Sequence, residues 1–178
     1  MSEAAVPFQR FYDLGDLSEA GAELTIAPSP DDLLRLAEWL EVAAVKSFTA
    51  TIRLRRLSPA RFGYAAQLEA EIVQSCVVTL EPVQSHIVRD FARELHLVRH
   101  RLSPKTDTLT LAAGDDDAPE EIDSPRFDVA GPVLEELSLS IDPYPRAPGV
   151  AFEAPSDSPG SGGARESPFA VLERLKRP

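Results

Sequence analysis

Residues 47–73 read SFTATIRLRRLSPARFGYAAQLEAEIV, and the alternation in this stretch decides the fold. In its first half Phe48, Ala50, Ile52 and Leu54 face one way and Thr49, Thr51, Arg53 and Arg55 the other, the period-two pattern of a half-buried strand from Ser47 to Leu57. The Ser58-Pro59-Ala60-Arg61 interval reads as a turn, and Tyr64, Ala66, Leu68, Ala70 and Ile72 resume the alternation between Phe62 and Val73. Two strands joined so closely pair antiparallel. Glu69 and Glu71 share the outward face of the second strand, so cross-strand ion pairing is one reading of Arg53 and Arg55.

Upstream, Ser29 can cap a helix, Pro30 sits where its missing N–H costs nothing, and Asp31 and Asp32 bring negative charge to the positive end of the helix dipole. Leu33, Leu36, Ala37 and Leu40 then recur at helical spacing, which predicts a helix from Pro30 to Val42 docked on the sheet, with Trp39 packing at its margin. Before it, Phe8, Phe11 and Tyr12 mix with polar residues as in an extended segment lying along the domain edge.

Downstream, Glu81-Pro82 breaks the chain. Val83 to Val98 reads as a long strand with room for a bulge, although residues 91–98, FARELHLV, would also suit a helix. Residues 103–122, with Gly114, Asp115-Asp116-Asp117 and Pro119, read as a mobile acidic loop. Gly131-Pro132 starts a short helix whose inward residues are Val133, Leu134, Leu137 and Ile141. The expected architecture is α+β: a curved, partly barrel-like antiparallel sheet of four to six strands with one packed helix and a short second one, occupying residues 1–142.

Residues 143–167 are dominated by Pro, Gly and Ser, which cannot bury enough apolar surface to offset ordering entropy, and read as a disordered linker. It leads to residues 168–178, where Phe169, Leu172 and Leu175 form one face of a short amphipathic helix after a capping Ser167. A helix of this length is not stable alone, so those three residues are expected to contact their own domain, a second copy or a partner.

The formal charge of −11 argues against a nucleic-acid ligand, but its distribution points the other way. From Lys46 to Lys105 the chain holds ten Lys/Arg against five Asp/Glu, a local +5, while the remainder holds eight against twenty-four. A basic middle flanked by acidic ends suits an anionic partner, or else is solvated charge in an acidic protein. No run of about 18 apolar residues occurs, the amino terminus lacks the order of a secretory signal, and the single Cys76 cannot form an internal disulfide, so the cytoplasm is the expected compartment.

Catalytic chemistry needs a nucleophile beside a base, a metal cluster or a phosphate loop, and none stands at a telling spacing. His86, His96 and His100 with one cysteine do not make a Cys/His metal set, and Asp115 to Asp117 lack the alternating ligands of a calcium loop. The expectation is a non-catalytic binding protein without cofactor, metal or small-molecule substrate.

Three blocks carry a resemblance: residues 74–83, QSCVVTLEPV; residues 137–146, LSLSIDPYPR; and residues 168–172, PFAVL, followed by Leu175-Lys176. In order and separation they resemble the YceD family, bacterial proteins implicated in accumulation of large-subunit ribosomal RNA, over nearly the whole chain from the Phe11 region onward. The motif residues are Cys76, Thr79, Glu81 and Pro82, then Asp142, Pro143, Tyr144, Pro145 and Arg146. Many members carry Cys-x-x-Cys at the first block, inviting a zinc reading; here Thr79 replaces the second cysteine, which makes Cys76 a buried or turn-lining residue and Glu81 a cap or contact.

The resemblance implies a ribosome biogenesis factor whose partner is large-subunit (23S) ribosomal RNA or a ribosomal protein. With the basic middle, it points to Arg53, Arg55, Arg56, Arg61, Arg89, Arg93, Arg99 and Arg101 as phosphate contacts, because guanidinium planes bond phosphate oxygens in pairs and stack on exposed bases. No aromatic-rich strand block accompanies them. The alternative is an acidic adaptor or chaperone that receives a basic ribosomal protein without touching RNA.

Overall fold

The fold, taken from a computed structural model, is described for residues 6–98 and 119–150. In chain order it runs β1 (Phe11–Asp13), a 3-10 turn (Leu14–Asp16), β2 (Ala22–Ile26), α1 (Pro30–Trp39), β3 (Ala44–Ser58), β4 (Arg61–Ser75), β5 (Pro82–Leu97), β6 (Glu120–Ile122), β7 (Arg126–Asp128) and α2 (Gly131–Ser140). The architecture is α+β. One five-stranded sheet has the order β2-β3-β4-β5-β6, and β1 pairs with β7 in a small separate ribbon.

The β3–β4 hairpin follows the alternation of its sequence: Phe48, Ala50, Ile52 and Leu54 are buried together with Phe62, Tyr64, Ala66, Leu68, Ala70 and Ile72. The short Pro59-Ala60 connection fixes the register, placing Arg53 opposite Ala65 and Arg55 opposite Gly63. Glu69 and Glu71 therefore stand opposite Thr49 and Ser47 instead of the arginines, and the expected cross-strand ion pairs do not form. β5 is a strand throughout, with an unbroken register against β4; the irregularities fall in β3, between Val45 and Ser47 and between Arg56 and Ser58.

Two expectations are corrected. β6 runs parallel to β5, so the sheet is mixed, and it does not close into a barrel. Glu120–Ile122, read as the end of an acidic loop, is that edge strand; residues 99–118 lie outside the described residues.

Both helices cover the same face of the sheet. α1 begins with a reciprocal capping box, in which the Ser29 hydroxyl accepts from the Asp32 amide and the Asp32 carboxylate accepts from the Ser29 amide, each at 3.2 Å. It stops before Val42 because Glu41 turns left-handed (φ 55°), letting the Val42 amide donate to the Ala37 carbonyl at 3.0 Å and the Glu41 amide to Glu38 at 3.2 Å. α2 buries Val133, Leu134 and Leu137, and Ile141 packs half-buried at its end.

The chain between β7 and α2 is tied to the sheet by the Tyr64 hydroxyl, which donates to the Val129 carbonyl at 2.8 Å, with the Tyr64 ring between Phe91 and Phe127 at 5.9 and 6.2 Å. Burial pushes the Tyr64 phenol up, which keeps it a donor. Tyr64→Phe leaves the Val129 carbonyl without this partner and is expected to cost about 1 kcal/mol, read as a lower midpoint in urea unfolding.

The folded part also reaches beyond Asp142. Pro145 is buried and residues up to Val150 continue the structure, so the first residues of the stretch read as linker pack on the domain.

Candidate functional site

Among the described residues nothing covers the face of the sheet away from the helices. The odd-numbered residues of β3 from Ser47 to Arg55, those of β4 and the even-numbered residues of β5 lie there, with a shallow depression lined by Thr51, Arg53, Ala65, Gln67, Asp90 and Ala92. Arg53, Arg55 and Arg61 stand on this face near the β3–β4 turn. Arg53 pairs with Glu23 of β2 at 2.8 Å and Arg61 pairs with Glu94 of β5. Among the described residues Arg55 has no acidic partner. At the opposite end the face turns acidic through Glu69 and Glu71, with His86 3.6 Å from Glu69.

The other arginines divide. Arg56 donates to the carbonyls of Leu14, Gly15 and Leu17 at 3.0, 3.1 and 3.2 Å, with its guanidinium 5.5 Å from the Phe62 ring centroid. Arg93 joins three elements, reaching Glu135 of α2 at 2.6 Å and Glu120 of β6 at 3.7 Å over the Phe91 ring. Arg89 donates to the Ser140 hydroxyl at 3.1 Å. All three make contacts within the fold, Arg56 through one terminal nitrogen to carbonyls and Arg93 through one terminal nitrogen to carboxylates.

Arg99 and Arg101 lie outside the described residues. They follow closely on Leu97, whose amide donates to the Ala60 carbonyl in the β3–β4 turn at 2.8 Å. The chain therefore leaves β5 beside Arg61, at the same end of the sheet as Arg53 and Arg55. Sequence periodicity gives no access to this convergence, since it depends on how three strands end together.

At the other end, the β4–β5 turn and the segment after α2 form one structure. The Cys76 amide donates to the Glu81 carbonyl at 2.8 Å and the Leu80 amide to the Cys76 carbonyl at 2.9 Å, closing a tight turn with Leu80 in the left-handed region (φ 63°). The Glu81 amide and carboxylate contact the Thr79 hydroxyl at 3.4 Å. The 142–147 segment lies across this turn: Gln74 Nε2 donates to the Asp142 carbonyl at 2.8 Å, the Val77 amide to the Pro145 carbonyl at 2.9 Å, and the Ala147 amide to Cys76 Sγ at 3.3 Å. Asp142 accepts from the Tyr144 amide at 2.8 Å, leaving Tyr144 outside and Pro145 buried. Pro143 and Arg146 are exposed. The signal that could have joined these segments was their shared resemblance to one family, because the Pro-rich composition of the second reads only as linker.

Cys76 is fully buried, with Thr79 Oγ and the Ala147 and Thr79 amides lowering its thiol to about 6 against the opposing effect of burial. That pKa lies below the ~8.5 of a free thiol, so the stabilisation is complete above that value and is lost as pH falls through about 6. Melting temperatures of the wild type should fall over this window relative to Cys76→Ser, which has no thiol to titrate; equal pH slopes would contradict a stabilised thiolate. The turn lacks the second thiolate that a Cys-x-x-Cys zinc site would use: the Thr79 hydroxyl stands at that position and faces Glu81.

Among the described residues no three His, Cys, Asp or Glu side chains are grouped as a metal set, and no helix is long and apolar enough to cross a membrane. The family model described as "Large ribosomal RNA subunit accumulation protein YceD" matches residues 64–176. The chain belongs to the YceD family. The description names a role in ribosomal RNA accumulation and no reaction. The match starts at Tyr64, so it takes in the Cys76 turn, the 142–147 segment and the terminal block but leaves out β3, whereas the expected likeness began near Phe11. No curated protein and no solved structure matches the chain.

Proposed function

We propose that the protein is a non-catalytic ribosome biogenesis factor of the cytoplasm that supports large-subunit ribosomal RNA by binding it at the β3–β4 end of the sheet. The observation that carries this reading is the placement of Arg53, Arg55 and Arg61 on the uncovered face, next to the point where the chain departs toward Arg99 and Arg101. Exposed ion pairs such as Arg53–Glu23 contribute about 0–1 kcal/mol, so a phosphate can replace the carboxylate at small cost. The flat face carries Thr51, Ala65 and Ala92 near these arginines, small residues that let a backbone approach. With no exposed aromatic on this face among the described residues, recognition rests on phosphate and shape and is tolerant of base sequence.

A second reading is the adaptor, favoured by Glu69, Glu71 and Asp90 on the same face and by the acidic excess outside residues 46–105. In that case the partner is a basic ribosomal protein. A pull-down of the tagged chain with and without nuclease separates the two: direct RNA binding predicts that ribosomal proteins are lost on digestion, and a ribosomal protein that survives digestion without crosslinked RNA supports the adaptor.

A further inference from the structure

Four large apolar side chains cluster where no fold requirement explains them. Val77, Val78 and Leu80 of the β4–β5 turn are 47, 37 and 78 % exposed, and Tyr144 is 71 % exposed. They belong to adjoining segments, since the Val77 amide bonds the Pro145 carbonyl at 2.9 Å. Leu80 is the most exposed of them and also stands at φ 63°, a conformation that glycine or asparagine adopts more cheaply. A leucine kept there, strained and facing solvent, points to a contact made by its side chain.

We infer that this patch is the docking site of the chain's own terminal segment, residues 167–176. The described chain ends at Val150, three residues beyond the Ala147 amide that bonds Cys76, so the exit point lies at the patch itself. Sixteen residues, 151 to 166, rich in Pro, Gly and Ser, separate it from Ser167. A flexible linker of that length has a root-mean-square reach of about 22 Å, which keeps the segment at millimolar effective concentration over the turn.

The chemistry of the segment fits. Phe169, Leu172 and Leu175 recur at helical spacing and need a surface, because so short a helix does not persist alone. Arg174 and Lys176 outnumber Glu173 beside that apolar set, and exposed Glu81 and Asp142 outnumber exposed Arg146 around the patch. The matched family span runs from Tyr64 to Lys176, uniting the turn and the terminal segment in one unit while omitting the first 63 residues. This inference does not depend on RNA binding.

The test places a photoreactive benzoylphenylalanine at Tyr144 of the full chain, an exposed position, and maps the crosslinks by mass spectrometry at several protein concentrations. Docking in the same chain predicts a crosslink to residues 167–176 within monomers, independent of concentration, and reduced about tenfold by Leu172→Asp, which removes one buried leucine and adds a charge. Crosslinks joining two chains, increasing with concentration, would overturn it in favour of a second copy. Illumination that yields no crosslink to residues 167–176, with the melting temperature of the labelled protein unchanged, would overturn it outright.

Discussion

Reversing Arg53, Arg55 and Arg61 to glutamate is expected to flatten the salt dependence of RNA binding by about 2 to 3 units of log affinity against log salt. Each phosphate contact releases close to one counterion, with a smaller value for single strands than for duplex. These three residues share the uncovered face and the same end of the sheet, so one RNA backbone can meet all of them. Binding titrations of the purified protein with a large-subunit ribosomal RNA fragment, from low to physiological salt, measure the slope. Neutralising the competing acids should act in the opposite sense: Glu23→Gln and Glu94→Gln free Arg53 and Arg61 and are expected to tighten binding. A slope unchanged by the triple reversal removes these arginines from the interface.

The second large effect is on stability. Arg56→Ala should cost about 2–3 kcal/mol, because one guanidinium satisfies the carbonyls of Leu14, Gly15 and Leu17 and stacks over Phe62. Leu14, which opens the 3-10 turn, and Leu17, which follows it, are buried, so losing the arginine loosens the clasp that holds the amino-terminal segment to the hairpin. For a domain of this size the melting temperature should fall by roughly 5–10 °C. Arg56→Lys recovers only part of it, since a single ammonium on a longer, flexible stem does not reproduce the planar stack. The RNA salt slope of the folded Arg56→Ala protein should match the wild type, which distinguishes this arginine from its neighbour Arg55.

Periodicity places Arg55 and Arg56 on opposite faces of β3, but the carbonyls that Arg56 meets, about forty positions earlier, leave no local signal. The alternation of residues 47–73 specified β3, β4 and the buried face, because a two-residue period maps directly onto the two sides of a sheet. Ser29-Pro30-Asp31-Asp32 likewise marked the start of α1, where the stop at Glu41 depended on a left-handed residue that is not glycine and so left no mark. β2, β6 and β7 span five, three and three residues, too short to show a period. The parallel pairing of β6 with β5 is a long-range choice with no local signature.

The candidate site divides in the same way. Residue type and local charge excess singled out the arginines, but their partners come from distant segments: Glu23 is thirty positions before Arg53, and Glu135 forty-two after Arg93. The packing of Pro145 and Ala147 against the Cys76 turn spans about seventy positions and lies within a Pro-rich composition that ordinarily signals a linker.

Direct contact between the β3–β4 end of the sheet and ribosomal RNA can be read in growing cells by ultraviolet crosslinking of the tagged protein, followed by sequencing of the attached RNA and mapping of the attached peptides. Such contact predicts large-subunit ribosomal RNA on peptides that include Arg53–Arg61 or Arg99–Arg101, with the signal lost in the triple reversal. Large-subunit ribosomal proteins recovered after nuclease treatment, with no RNA attached to those peptides, would contradict it.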